Sequence, residues 1–328
     1  MKILAVDDDP IILELLENVL RVVGFTNLTM CESAHQALEA VEQNSVPFDC
    51  CLFDIQMPEM DGIQLASAIR KFPQYAATPI VMITAMSDRS YIDKAFIAGA
   101  SDYITKPFEI GEVHARLRQI QDRVEERKQN TDRNPIPVTR HATATVTQAD
   151  FDTRIALSGI DGFIEYLALE NYLLQVSRMS LFGMRAFGVV VPDMERTFQT
   201  SSLYEYQAAV SDFAEAISDS LKSRSYFAAH AGNGEFVCVL TDGEAFDEAD
   251  FESQLCDTVR EMDLHFCDGR PMTLMPVVGR PISMHLKSAR GTANVLTQAL
   301  AAAEEVASMP RARKVISSAG PLRMLFGH

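Results

Sequence analysis

The sequence lacks the features that mark membrane, secreted and nucleic-acid-binding proteins. No uncharged apolar run approaches the ~18 residues of a membrane span, and the apolar start MKILAV ends at Asp7, too early for a secretory signal. The six cysteines form no CxxC pair, which favours reduced thiols in a cytoplasmic protein. The formal net charge of −16 does not suit a surface that tracks phosphate backbones, so we expect no DNA partner.

The length of 328 residues favours two domains, because a single hydrophobic core rarely serves more than ~250–300 residues. Apolar residues make up 47% of the chain, as expected for a globular protein. A polar, Thr-rich stretch with two prolines and no helical period separates two better-patterned parts. We therefore predict a first domain over residues 1–125, a linker over 126–149 and a second domain over 150–320.

Continuous apolar runs alternate with amphipathic helical patterns in the first part of the chain. This alternation is typical of a parallel sheet covered by helices on both faces. Because right-handed crossovers leave few topologies, we predict an α/β fold with a five-stranded, doubly wound parallel sheet in the order 2-1-3-4-5. The predicted strands are Lys2–Val6, Leu28–Cys31, Cys50–Phe53, Ile80–Thr84 and Tyr103–Ile104.

Three acidic side chains follow predicted strands at the edge where a doubly wound sheet binds its ligands. Asp7 and Asp8 follow the first strand, and Asp54 ends the third, its neighbour in the predicted order. Two carboxylates ~4 Å apart repel by roughly 4 kcal/mol at an effective dielectric of about 20, so the cluster indicates a bound cation. All-oxygen ligation favours Mg²⁺ over zinc or copper. Asp9 is instead expected to cap the first helix, with Pro10 at its first position.

A hydroxyl and an ammonium group complete this arrangement. Thr84 ends the predicted fourth strand, and Lys106 follows the fifth. The transition state of phosphoryl transfer spreads negative charge over three oxygens, and a metal ion, a lysine and a hydroxyl can each bind one. The set therefore predicts a phosphoryl-transfer site, whereas any one of its acids alone would be equally typical of a helix cap or a solvated turn.

Four segments of the sequence resemble the two-component receiver family. They are ILAVDDDP, LFDIQMPEMDG, VMITA and SDYITKPF, which follow the family's order and usual spacing within residues 1–125. The resemblance implies a flavodoxin-like fold and a response regulator in a phosphorelay. It also implies a sensor histidine kinase or a phosphotransfer protein as the phosphodonor.

The resemblance further implies which residues bind the metal and the phosphoryl group. Asp54 would be the phosphoacceptor. Asp8 and Asp54 would bind Mg²⁺ together with the Gln56 carbonyl, and Asp7 would act through a water molecule.

Three other residues receive roles from the same resemblance. Lys106 would pair with the phosphoryl oxygens, and Thr84 would move to meet them. Tyr103 stands at the family's aromatic switch position and would turn inward with Thr84, which makes it part of a two-state element. An ordinary half-buried aromatic is the alternative for Tyr103.

Apolar residues after the fifth predicted strand repeat at intervals of three and four. This stripe favours a final helix that packs on its own sheet, and a short dimer-forming coiled coil is the alternative. The stripe consists of Ile110, Val113, Leu117, Ile120 and Val124.

The second part of the chain predicts an α/β domain with a mostly antiparallel sheet. Two β-rich runs flank glycines in a pattern that predicts a hairpin. Predicted helices are Ile164–Met179, Tyr206–Leu221, Phe251–Met262 and Thr292–Ala307, and predicted strands are Phe187–Val191, Tyr226–Ala231, Phe236–Leu240 and Met272–Val278.

The order of these elements over residues 152–318 resembles the GGDEF family of cyclic-di-GMP synthases, in a degenerate form. The hairpin AGNGEF, with Gly232, stands where the family has its signature. Only Glu235 and Phe236 match that signature, because Asn233 and Gly234 replace a glycine and an acid. The preceding strand, VVVPD, has no acid in the register of the family's metal ligand, and the family's RxxD inhibition motif is missing as well.

These departures predict an output domain without diguanylate cyclase activity. Joining two nucleotides requires two metal ions, which a single glutamate cannot hold. In this interpretation the hairpin has a structural role, which is to form the turn. The domain acts by contact with a downstream protein or by self-association.

Three alternatives come from other functional classes. An active cyclase with an unusual site would make cyclic-di-GMP from GTP and Mg²⁺. The chain would otherwise be the front part of a longer GGDEF–EAL phosphodiesterase, which the gene beyond His328 would reveal. A degenerate cleft that binds GTP or cyclic-di-GMP would release heat in a titration with those nucleotides.

Overall fold

The computed structural model describes residues 1–85, 89–133, 148–157, 159–176, 180–284 and 294–309. These residues form two five-stranded sheets, one parallel and one antiparallel. Within the described part, none of the helices combines the length and the hydropathy that a membrane span requires.

The first sheet has the predicted parallel order β2-β1-β3-β4-β5. All five residues of β3 and of β4 are buried, as expected when helices cover both faces. The elements in chain order are β1 (Lys2–Val6), α1 (Pro10–Val22), β2 (Asn27–Cys31), α2 (Ala34–Gln43), β3 (Cys50–Asp54), α3 (Gly62–Arg70), β4 (Ile80–Thr84), α4 (Arg89–Ile97), β5 (Asp102–Thr105) and α5 (Ile110–Arg133).

Local capping fixes where the helices at the ligand-binding edge begin. The Asp9 carboxylate accepts a hydrogen bond from the Ile11 backbone N–H, and Pro10 occupies the first turn of α1, which confirms the predicted cap. Helix α3 begins with a capping box in which the side chains of Asp61 and Gln64 each bond the other's backbone N–H.

Helix α5 packs four of the five residues of its predicted apolar stripe on its own sheet, whereas Ile110 is 51% exposed. Val113, Leu117, Ile120 and Val124 are buried in one cluster with residues of β1 and α1. The helix continues to Arg133 and therefore includes residues that we predicted as linker. Residues 134–147 of the predicted linker lie outside the described residues, and its last two residues belong to a short helix, Gln148–Asp152, and not to an extended segment.

The second sheet is antiparallel, as predicted, with the order β10-β6-β8-β7 and β9 paired to β6. Met272–Val278 was predicted as one long strand, but only its last two residues pair with the sheet. The elements of this part are α6 (Gln148–Asp152), α7 (Tyr166–Gln175), β6 (Arg185–Val190), α8 (Met194–Thr200), α9 (Leu203–Leu221), β7 (Tyr226–Gly232), β8 (Glu235–Leu240), α10 (Glu248–Glu261), β9 (Val277–Val278), β10 (Ile282–Ser283) and α11 (Val295–Ser308).

Helices cover both faces of the second sheet. Side chains of α9 and α10 form one hydrophobic cluster with β6 and β8, whereas side chains of α7 and α11 belong to another. Helix α11 lies close to β6 because Gly188 has no side chain there: a Cβ atom would lie 2.5 Å from the Ala299 carbonyl oxygen. The order β6-α9-β7-β8-α10-β9 is a βαββαβ arrangement.

The predicted hairpin connects β7 and β8 through a two-residue turn. Asn233 and Gly234 have φ angles of 55° and 70°, as a type I′ turn requires. Asparagine and glycine are the residues that adopt this conformation most readily, so this segment is explained by its turn geometry.

The two domains share a hydrophobic cluster. Buried residues of β4, α4 and β5 belong to the same cluster as buried residues of α7, β7 and α11. Helix α7 makes the direct contact with β5.

Candidate active site

The three predicted carboxylates converge at the carboxyl edge of the parallel sheet. Val6 pairs with Phe53, so the residues that follow them on β1 and β3 lie side by side. Asp7, Asp8 and Asp54 each offer a carboxylate oxygen within 4.8 Å of those of the other two. Asp7 and Asp54 are buried, whereas Asp8 is exposed. The cluster therefore has one side open to solvent.

Lys106 reaches this cluster from the end of β5. Its Nζ atom lies 2.7 Å from Asp7 Oδ2 and 2.8 Å from Asp54 Oδ1. Its backbone N–H donates to the Thr84 carbonyl at 2.7 Å, and the Lys106-Pro107 peptide is cis. The ammonium group therefore bridges the two buried carboxylates and offsets part of their repulsion.

Burial and charge act on these groups in opposite directions. Burial raises the pKa of Asp54 above its usual value, while Lys106 pulls it down and the charge of Asp7 adds to the rise. For Lys106, burial lowers the pKa, but hydrogen bonds and charge interactions with Asp54 and Asp7 outweigh it and leave the pKa raised. The lysine is therefore held firmly in its charged form.

The donor set fits a hard divalent cation. Its ligand atoms are all carboxylate oxygens, and the exposed carboxylate leaves room for water, as Mg²⁺ requires. The Asp9 backbone N–H donates to Asp7 Oδ1 at 3.1 Å and fixes the orientation of that carboxylate. The backbone N–H of Gln56 bonds the Asp54 carboxylate. The predicted ligation of a metal by the Gln56 carbonyl stays a prediction.

Thr84 and Tyr103 lie on the same face of the sheet. Met82 pairs with Tyr103, and Thr84 stands two residues further along β4, where side chains return to that face. Thr84 is buried at the end of its strand. Tyr103 is 8% exposed, with its ring edge-on to Phe96.

Sequence reasoning missed two structural residues of this domain, one that packs beside Asp54 and one at the amino end of β5. Gly62 lies so close to β3 that a Cβ atom there would overlap the Asp54 carbonyl oxygen. Asp102 is 4% exposed, and each of its two carboxylate oxygens accepts a hydrogen bond from Arg116 Nη1 at 2.9 Å. The glycine of the MDG segment was a sequence signal for Gly62, whereas no local pattern indicates the pairing of Asp102 with Arg116.

The residues of the degenerate signature do not form a comparable cluster. Phe236 is fully buried against Phe163 and Phe213. Glu235 is half-buried, and burial together with a hydrogen bond from the neighbouring Glu304 raises its pKa to about 7. The Glu235 carboxyl group is therefore hydrogen-bonded to another acid. Among the described residues, the side chains that could together hold a metal ion are those of Asp7, Asp8 and Asp54.

Residues 3–118 match the family model of the response regulator receiver domain. The chain is 35% identical over 124 residues to the chemotaxis protein CheY of Pseudomonas aeruginosa, which covers 38% of this chain and 98% of that protein. It is 39% identical over 117 residues to the signal transduction histidine-protein kinase BarA of Escherichia coli (strain K12), covering 36% of this chain. The chain spans only 12% of that kinase's length.

A solved structure, the Francisella response regulator 1452 receiver domain, is similar to the same part. It is 30% identical, and the match covers 37% of this chain and 97% of that one, with a TM-score of 0.34.

Proposed function

The chain belongs to the response regulator receiver family through residues 3–118, and we propose that it is a phosphorylation-controlled regulator that accepts a phosphoryl group on Asp54. Receiver domains are phosphorylated by histidine kinases or phosphotransfer proteins and generally bind Mg²⁺ at acidic residues. The observation that carries the proposal is the convergence of Asp7, Asp8 and Asp54 with Lys106 at one sheet edge.

Each residue of the site has a separate role in phosphoryl transfer. An Oδ atom of Asp54 attacks the phosphorus, the bond from phosphorus to the donor's histidine nitrogen breaks, and its electron pair returns to that nitrogen. Lys106 is placed to neutralise an oxygen of the incoming group, because its Nζ atom lies 2.8 Å from Asp54 Oδ1. Thr84 offers a hydroxyl at the neighbouring strand end. Bound Mg²⁺, held by Asp7, Asp8 and Asp54, would supply further positive charge to those oxygens.

The second domain is the output module in this proposal. Its βαββαβ order and its hairpin support a degenerate GGDEF-like domain, and its altered signature supports an output by protein contact. Glu235 shares its hydrogen bond with Glu304, and among the described residues this pair does not belong to a group of three or more metal-capable side chains, which supports an output without chemistry on two metal ions. The downstream partner is a further protein or a second copy of the chain.

The test of the proposal is covalent modification. Acetyl phosphate with Mg²⁺ should add one phosphoryl group to the wild-type protein, detected by intact mass, and beryllofluoride should bind in its place. Asp54→Asn should show neither effect, because an amide oxygen is a far weaker nucleophile. Asp49→Asn removes an acid just before β3 that pairs with Lys128 outside the site, and it should be modified like wild type. Equal modification of Asp54→Asn and wild type would refute the assignment.

A further inference from the structure

A pair of acids joins helix α11 to one end of the antiparallel sheet. Glu235 is the first residue of β8, and its carboxyl group is hydrogen-bonded to that of Glu304 on α11. Glu235 is half-buried, whereas Glu304 is exposed at the surface of the helix. Two carboxyl groups can form a hydrogen bond only if one of them keeps its proton, because an ionised carboxylate has no hydrogen to donate. The contact therefore contains one shared proton.

The pair lies where the close packing of α11 on the sheet ends. A Cβ atom on Gly279 would lie 2.6 Å from the Ala303 backbone nitrogen, so the helix backbone lies directly against the sheet at this turn. Ala303 is also the last buried residue of α11. Residues 304–308 are all described, and none of them is buried. The last turn therefore depends on the hydrogen bond of Glu304 more than on apolar packing.

The other groups that face Glu235 do not offset a second negative charge. Its strand neighbours on β6 and β7 are a valine and a glycine, which carry no charge. On α7, burial together with the charges of Glu170 and Glu235 raises the pKa of the Tyr166 phenol, which stays neutral. The Arg154 guanidinium lies 3.8 Å from the centre of the Tyr166 ring and, like Arg123 on α5, attracts Glu170. The charge that acts on Glu235 is that of Glu304.

We propose that the Glu235–Glu304 contact is a pH-sensitive switch for the last turn of α11: the turn stays on β8 while the pair keeps one proton and detaches once both carboxyl groups are ionised. Two like charges would then face each other at hydrogen-bond distance, and the exposed Glu304 is the partner that can move into solvent. Loss of this bond leaves a helix end without buried side chains, which opens locally. The surface of the second domain at this sheet end would therefore change with pH.

The direction of the pH dependence follows from the environment of Glu235. Burial and the hydrogen bond with Glu304 raise its pKa from the ordinary value of 4.5 to about 7. A carboxyl group with a raised pKa in the folded state stabilises that state in acid, and this stabilisation is lost as the pH rises from about 5 through about 7. The full difference would change the opening equilibrium of the last turn about 300-fold, and solvent screening of a half-buried group reduces the expected change to roughly 10-fold to 100-fold.

The experiment measures hydrogen exchange of residues 300–308 in the full chain between pH 5 and pH 8, corrected for the rates of an unstructured peptide. Protection in wild type should fall roughly 10-fold to 100-fold across this range. Glu304→Gln replaces the shared proton by an amide donor that does not titrate, so its protection should stay nearly constant. Glu305→Gln removes an exposed acid from the same turn and should keep the pH dependence of wild type.

The proton on Glu235 can be observed directly by NMR of the side-chain carboxyl carbons, with Glu235→Gln identifying the signal. In wild type this signal should titrate with a midpoint near 7, and Glu304→Gln should lower the midpoint. The inference is overturned if the wild-type midpoint lies near 4.5, if protection of α11 does not change with pH, or if Glu304→Gln responds to pH as wild type does. None of these measurements involves phosphorylation of Asp54, so they succeed or fail independently of the proposed function.

Discussion

Replacement of Lys106 by methionine tests the electrostatic balance of the active site. The change keeps a long apolar side chain but removes the ammonium group that lies 2.7 Å from Asp7 and 2.8 Å from Asp54. Both carboxylates are nearly inaccessible to water, so solvent cannot replace the lost partner. Without a metal ion, the folded state then contains two buried acids that face each other.

The expected loss in the free energy of unfolding is large for the replacement of a single residue. Removal of one partner from a buried pair costs about 3–5 kcal/mol, because the remaining charge stays buried without compensation. The Lys106 side chain is 17% exposed, which places the expected loss near the lower end, at about 3 kcal/mol. Mg²⁺ binds only the folded cluster and should restore up to about 2.7 kcal/mol at a concentration of 100 times its Kd.

Urea unfolding with and without Mg²⁺ measures both effects. Lys128→Met is the matched control, because Lys128 forms a 2.6 Å ion pair with Asp49 but its side chain is 60% exposed. That pair should contribute at most about 1 kcal/mol and should not respond to Mg²⁺. The reasoning is refuted if Lys106→Met is no less stable than Lys128→Met, or if Mg²⁺ stabilises it no more than it stabilises wild type.

Two further predictions concern the support of Asp54 and the output domain. Gly62→Ala should lower the free energy of unfolding by at least about 2 kcal/mol and slow phosphorylation, because its Cβ would overlap the Asp54 carbonyl oxygen. Gly111→Ala, whose Cβ would meet nothing within 4 Å, should not lower the free energy of unfolding and should leave phosphorylation unchanged. Equal effects of the two changes would contradict this. Incubation with GTP and Mg²⁺ should yield no cyclic-di-GMP by chromatography, because Glu235 is paired with Glu304; clear product would overturn the contact-only output.

Much of the first domain could be predicted because its signals are local. Buried strands, helix periods and the Asp9 cap are each encoded within a few residues. The handedness of crossovers leaves few possible strand orders, and the predicted order 2-1-3-4-5 places the ends of β1 and β3 together. The meeting of the three carboxylates is therefore a consequence of the sequence pattern.

Elsewhere local patterns were insufficient. Met272–Val278 has the composition of a strand, but only Val277 and Val278 pair with the sheet. Pairing requires a neighbouring strand alongside, and β6 ends at Val190, the partner of Val277. The helical run through Arg133 was missed because its polar residues show no apolar period, although several of them, such as Glu126, Arg127 and Lys128, form helices readily.

By itself the sequence determined the parallel sheet, its acidic edge and the hairpin turn at Asn233 and Gly234, because each depends on neighbours in the chain or on a handed connection. Only the tertiary structure decided that Tyr172 packs on Phe96 and that Gln175 meets Tyr103. Those partners are more than 70 residues apart. Whether they meet depends on the complementary shapes of two finished domains, which no local pattern contains.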